Sequence, residues 1–136
     1  MRGLRASLAA RLASDRGSAP AEFVMVAALL TLTTLSVLQL GLALHVKNTV
    51  LDAAAEGARY GALADNTPAE GAARTRDLIT VALGPGYASD VTATTGSYLD
   101  RPAIAVTVRT PLPLIGLVGI DDGLEVTGHA ARETLD

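Results

Sequence analysis

The sequence predicts an α+β protein: a long N-terminal transmembrane helix continuing into an extracytoplasmic helix, a second short helix, and a small antiparallel sheet of about three strands. Three observations predict it. Residues 23–44 carry no charge. A helical period of small apolar residues then continues to about residue 64. Beyond Gly84-Pro85-Gly86 the apolar period drops from 3.6 to two. The 136 residues divide accordingly into a basic leader over 1–17, a transmembrane and amphipathic helix over 18–64, and a small extracytoplasmic α+β domain over 65–136.

The uncharged run is 22 residues long. At about 1.5 Å per residue it extends roughly 33 Å as a helix, close to the thickness of the hydrocarbon core. Val24, Val26, Leu29, Leu30, Leu32, Leu35, Val37, Leu38, Leu40, Leu42 and Leu44 dominate it. Its polar members, Thr31, Thr33, Thr34, Ser36 and Gln39, are uncharged, and hydroxyls can bond back to helix carbonyls. A buried core helix is rarely this long without a charge. A cleaved secretory signal has a shorter apolar region and a small-x-small site after it, whereas His45-Val46-Lys47-Asn48 follows here. The run therefore reads as an uncleaved anchor in the cytoplasmic membrane. Arg2, Arg5, Arg11 and Arg16 precede it, and the part beyond it holds 12 of the 14 acidic residues. Basic residues beside a span favour the cytoplasmic side, so the N-terminus is expected inside and the C-terminus outside.

The leader is basic, and Ser7, Ser14, Asp15 and Gly17 are expected to break any long regular element within it. After the span, Val46, Val50, Ala53, Ala54, Gly57, Tyr60, Gly61 and Ala64 share one helical face. Asn48, Asp52, Glu56 and Arg59 share the opposite one. Gly57 and Gly61 form a small-x-x-x-small pair, which lets another backbone come close. Being several turns past the span, it is expected to pack on the chain's own sheet rather than on a second copy. Thr67-Pro68-Ala69-Glu70 reads as a capping box with Pro at the first helical position. That helix is expected to end at Gly84, with Leu78, Ile79, Ala82 and Leu83 on its buried side.

Three segments alternate as strands: 91–95, 103–110 and 124–131. Between the last two lies an uncharged segment, 111–120, whose prolines argue against a central strand. Its Leu112, Leu114 and Leu117 are expected either to meet a partner subunit or the membrane, or to close the domain on itself.

Composition narrows the function. There is no cysteine, so the outer domain is expected to be held without disulfides. No basic stripe with interleaved aromatics occurs, which argues against nucleic acid as a partner. Only two histidines are present, His45 and His129. His129 shares its strand face with Glu125 and Thr127, and no nucleophile, zinc-protease or phosphate-loop motif accompanies it. Asp121-Asp122 lacks the ligand spacing of a calcium loop and reads as a polar turn. The sequence thus predicts no enzyme, no metal and no cofactor.

The informative stretch is Arg16-Gly17-Ser18-Ala19-Pro20-Ala21-Glu22-Phe23, directly before and into the span. A carboxylate at the membrane edge needs a partner or the interface. Glu22 also has a plain reading, as an acid near a helix N-terminus, where the dipole favours it. The arrangement resembles the prepilin-peptidase site of type IV pilins, in which a Gly ends the leader and the fifth mature residue is Glu. Gly17 and Glu22 stand at those positions, and Glu22-Phe23 resembles the Glu-aromatic pair of Flp-type pilins. After the span, Ala54-Ala55-Glu56-Gly57-Ala58-Arg59-Tyr60 is similar to the helix of the TadE-like family, minor pseudopilins of the tight adherence pilus machinery.

That resemblance implies cleavage between Gly17 and Ser18 by a prepilin peptidase, and contact between the new amine and Glu22 of a neighbouring pilin or pseudopilin subunit. Pro20 departs from the small or aliphatic residues usual there. The alternative is a single-pass anchored binding or adhesion domain that is never processed.

Overall fold

The computed structural model describes the backbone of residues 2–113 and 119–134, and the side chains of residues 17–113 and 123–134. Leu114 and Leu117 of the expected contact segment lie outside the described residues. The fold is the expected α+β arrangement: α1 (Arg2–Ala62), α2 (Pro68–Leu83), a 3-10 turn (Pro85–Tyr87), β1 (Asp90–Tyr98), β2 (Arg101–Pro113) and β3 (Gly119–Ala131). The chain forms two compact units, Met1–Leu38 and Gln39–Asp136, and α1 runs through both.

In the first unit the leader is helical from Arg2. The expectation that Ser7, Ser14, Asp15 and Gly17 would break it is corrected. Each costs only up to about 1 kcal/mol in a helix interior, and Leu4, Ala6, Leu8, Ala9, Ala10, Leu12 and Ala13 are strong formers around them. Within the apolar run two hydroxyls bond back to the preceding turn, Thr33 to Leu29 O and Ser36 to Leu32 O, both at 2.8 Å.

In the second unit, the end of α1 buries Val46, Val50, Ala53, Ala54, Gly57, Ala58, Gly61 and Ala62. Asn48, Asp52, Glu56 and Arg59 are exposed on the far side, as the period requires. Tyr60 was read onto the buried face but is 40% exposed. Its place is taken by Ala58 and Ala62, because the closest approach is made by small residues. After α1 the Asn66 amide donates to Tyr60 O at 2.8 Å. The capping box then forms in both directions: Thr67 Oγ1 accepts from Glu70 N at 3.3 Å, and Thr67 N donates to Glu70 Oε2 at 2.7 Å. The two bonds satisfy amides that a helix start leaves without partners. Helix α2 ends at Gly84, whose φ of 102° suits glycine. It buries Gly71, Ala72, Thr75 and Ile79, while Ala82 faces outward.

The sheet has the order β1-β2-β3, all antiparallel. Its inner face carries Val91, Ile104, Val106, Val108 and Val126, which join Val46, Val50 and Ile79 in one core. The β1–β2 hairpin is longer than the alternation implied. It continues through Gly96, Ser97 and Pro102 to the pair Tyr98↔Arg101. The two-residue turn places Leu99 and Asp100 at φ 51° and 61°, the left-handed geometry that matches strand twist in short hairpins.

The prolines of residues 111–120 argue against a central strand, yet β2 reaches Pro113. The reason is local. Strand β1 begins at Asp90, opposite Arg109, so residues 110–113 have no β1 neighbour. The β2–β3 register slips between Thr110 and Leu112, where Asp121, Asp122 and Gly123 stand opposite the single residue Pro111. Pro111 therefore lies at an irregularity on a locally open edge, where proline is tolerated. Asp121 and Asp122, read as a turn, are in β3.

Candidate processing and assembly segment

Gly17 and Ser18 lie within helical backbone and are exposed. A Cβ built at Gly17 would meet nothing within 4 Å. Pro20 lies inside the same helix. Glu22 is exposed two residues further on, and Phe23 beside it is 74% exposed. One turn of helix thus separates the Gly17–Ser18 bond from the carboxylate of Glu22, directly before the apolar segment.

The apolar segment is uncovered as well. Val24, Met25, Leu29, Leu32, Val37, Leu38 and Leu40 are all more than half exposed. So large a continuous apolar surface needs a nonaqueous neighbour. Among the described residues one helix, Gly17–Ala62, is long and apolar enough to cross a membrane, and its apolar stretch is not buried within the chain.

Gly57 and Gly61 serve a different purpose. They meet α2, not the sheet that the sequence reading assigned to them. A Cβ at Gly57 would meet Thr75 Oγ1 and, at 2.6 Å, Gly71 O; a Cβ at Gly61 would meet Gly71 Cα at 3.3 Å. Thr75 is fully buried and bonds to Ala53 O at 3.3 Å and Gly71 O at 3.0 Å. The sheet side of α1 has its own glycine: a Cβ at Gly128 would lie 2.5 Å from Ala54 C and Ala55 N. Gly71, Thr75 and Gly128 were missed in the sequence. Their signal was present as a small residue, Gly71, four positions before another small one on α2, and as a lone Gly in an alternating strand.

On the outer sheet face Arg109 bridges Glu125 at 2.6 Å and Asp90 at 3.8 Å, and Thr107 and Thr127 share a hydrogen bond of 3.0 Å. His129 is exposed and stacked on Tyr98, with ring centroids 4.6 Å apart and an interplanar angle of 16°. His45 is exposed too. Among the described residues no group of three or more His, Asp or Glu side chains is placed to hold a metal ion. Leu112 is half-buried and pairs with Ile120; the cooperation proposed for it with Leu114 and Leu117 falls partly outside the described residues.

Neither a curated protein nor a solved structure matches the chain. The segment just described does have a counterpart, which starts at Gly17 itself: residues 17–59 match the family model of the TadE-like proteins, the family that the sequence resembles.

Proposed function

We propose that this chain is a pseudopilin-type subunit that takes part in assembling a tight adherence (Flp-type) pilus and is matured by a prepilin peptidase. It is anchored in the cytoplasmic membrane by residues 23–44, with residues 1–21 inside and 46–136 outside. The observation that carries the reading is the exposed pair Gly17 and Glu22 at the head of an uncovered apolar helix, within the stretch that matches the family.

In the proposed maturation, water adds across the amide between Gly17 and Ser18. The C–N bond breaks, Gly17 keeps the carboxylate, and Ser18 becomes a free ammonium. Residues 1–17 leave with four arginines. The new ammonium meets Glu22 of a neighbouring subunit, setting the register between helices. Two unit charges about 4 Å apart attract by about 4 kcal/mol at an effective dielectric near 20, before desolvation is counted. The exposed residues of the apolar run supply the lateral packing.

Mass spectrometry of the N-terminal peptide, from cells that contain the cognate peptidase, tests this. The mature chain is expected to begin at Ser18. Gly17→Val is expected to remain uncut, because its side chain obstructs the peptidase groove. Glu22→Ala is expected to be cut but to assemble poorly. A parent chain that still carries residues 1–17 would overturn the reading and leave an unprocessed anchored domain. Orientation has its own test: a reporter fused after Asp136 that works only in the cytoplasm would reverse the topology.

A further inference from the structure

Pro20 lies inside α1, three residues beyond the carbonyl of Gly17. Proline has no N–H, so the α-helical bond from position 20 to the carbonyl of residue 16 cannot form, and the ring crowds that carbonyl. The ring also disfavours helical backbone at Ala19. Gly17 adds a second weak point, since glycine is the poorest helix former after proline and no neighbour lies within 4 Å of its Cβ position. The helix is therefore weakened over residues 16–20, the stretch that contains the Gly17–Ser18 bond.

The same residues are well suited to starting a helix. Serine is a preferred N-cap residue, and in a helix that starts at Ser18 its hydroxyl could accept the amide of Ala21, the third residue after it. Pro20 then sits in the first turn, where an amide has no intrahelical partner to lose. Glu22 follows close to the positive end of the dipole. A helix that begins at Ser18 thus loses nothing to Pro20, whereas one that continues back through Arg16 carries a missing bond and a steric conflict. A protease needs its substrate locally opened, and its rate follows the open population when opening is fast.

We infer that residues 16–20 form a built-in unwinding point at which α1 opens and presents the Gly17–Ser18 bond in extended form, with Ser18 capping the helix that remains. Pro20 is a positioning residue: it acts through the backbone of residues 16–18. Hydrolysis also removes the conflict, because position 20 then belongs to the first turn of the mature helix. The role in cleavage rests on the processing reading above; the unwinding itself does not.

Two measurements on the full-length precursor in detergent micelles test the inference. One is the rate at which purified prepilin peptidase cuts it, followed by mass spectrometry. The other is amide hydrogen exchange at Ser18 and Ala19 without peptidase. Pro20→Ala is expected to slow both by roughly tenfold or more, the range set by proline's helix penalty. Pro20→Gly, which restores the amide but not a good helix former, is expected to fall between parent and Pro20→Ala in both. Unchanged exchange in Pro20→Ala would overturn the inference. So would slower cleavage with unchanged exchange, which would make Pro20 a contact of the peptidase instead. A parental cleavage rate in Pro20→Ala would overturn the role in cleavage and leave the processing reading standing. If the parent is never cut at Gly17–Ser18, the processing reading fails, and exchange alone decides whether the helix opens there.

Discussion

Replacing Gly71 by Ala should drive α2 away from α1. A Cβ at position 71 would lie 2.6 Å from Gly57 O and 3.2 Å from Gly61 Cα. Both are backbone atoms of a helix, so no rotamer change relieves the clash. Ordinary contact begins near 3.4 Å, so the helices must separate by about 0.8 Å at this point. Overpacking of this kind costs about 1–3 kcal/mol. Separation also lengthens the 3.3 Å bond from Thr75 to Ala53 O, worth about 0.5–1.5 kcal/mol. Against this, Ala is better than Gly in a helix by up to about 1 kcal/mol. The expected net loss is about 1–3 kcal/mol, which for a unit of this size lowers Tm by roughly 8–16 °C at the middle value. Thermal unfolding by circular dichroism in micelles measures it. Gly86→Ala is the control, since nothing lies within 4 Å of its Cβ position; it should be neutral or slightly stabilising. A Gly71→Ala protein within about 2 °C of the parent would show that the two backbones do not touch as described.

Four further outcomes follow from local geometry. Thr67→Ala should cost about 1 kcal/mol by removing the N-cap oxygen of α2, read as a lower denaturation midpoint. Hydrogen bonds from the Thr67 side chain, then its backbone, hold the Glu70 carboxyl below its ordinary value of 4.5. Its contribution is therefore complete above that value and lost as pH falls through the depressed one. Amide exchange at Gly71 and Ala72 should accelerate in that acid window, and Glu70→Gln should flatten the dependence. Leu99→Asn with Asp100→Gly should stabilise the hairpin by about 0.5–1 kcal/mol, because those residues accept positive φ more readily; a lower Tm would count against the turn geometry. Arg109→Ala should change stability by less than about 1 kcal/mol, since its ion pairs are half exposed.

The parts of the fold legible in the sequence were those with a strong local cause. The capping box at Thr67 and Glu70, the stop at Gly84 and the charged face of α1 follow from short-range chemistry and periodicity. The extended hairpin through Gly96 and Pro102, and the proline-bearing end of β2, depend on which edges are free. That is a property of the assembled sheet, and Pro111 is acceptable only because β1 stops short of it. The helical leader shows the reverse case: a few weak helix residues do not break it, because the surrounding leucines and alanines outweigh them. At the candidate site, spacing alone singles out Gly17, Glu22 and Phe23, and the role proposed for them rests on it. The partner of Gly57 and Gly61 was not legible, because a small-residue pair states how near a neighbour can come and not which neighbour it is.

That last distinction bears on how subunits meet. Gly57 and Gly61 are occupied by α2, and Gly128 of β3 seats against Ala54 and Ala55. A second copy cannot use the same surfaces without opening the second unit. In the proposed assembly, lateral association is expected to use helix surface that is uncovered, chiefly the run from Phe23 to Leu44, where Met25 is 71% and Leu38 63% exposed. The protein contains no cysteine, so single cysteines report contact without background. Met25→Cys, Leu38→Cys and Ala58→Cys, each shown to unfold like the parent, can be oxidised in membranes that carry the assembled system. A disulfide forms only where two Cα atoms come within about 7 Å. Crosslinked dimers are expected from position 25 or 38, and none from Ala58, which is fully buried. Efficient crosslinking at Ala58 in folded protein, with none in the apolar run, would show that subunits associate through the face assigned here to the chain's own packing.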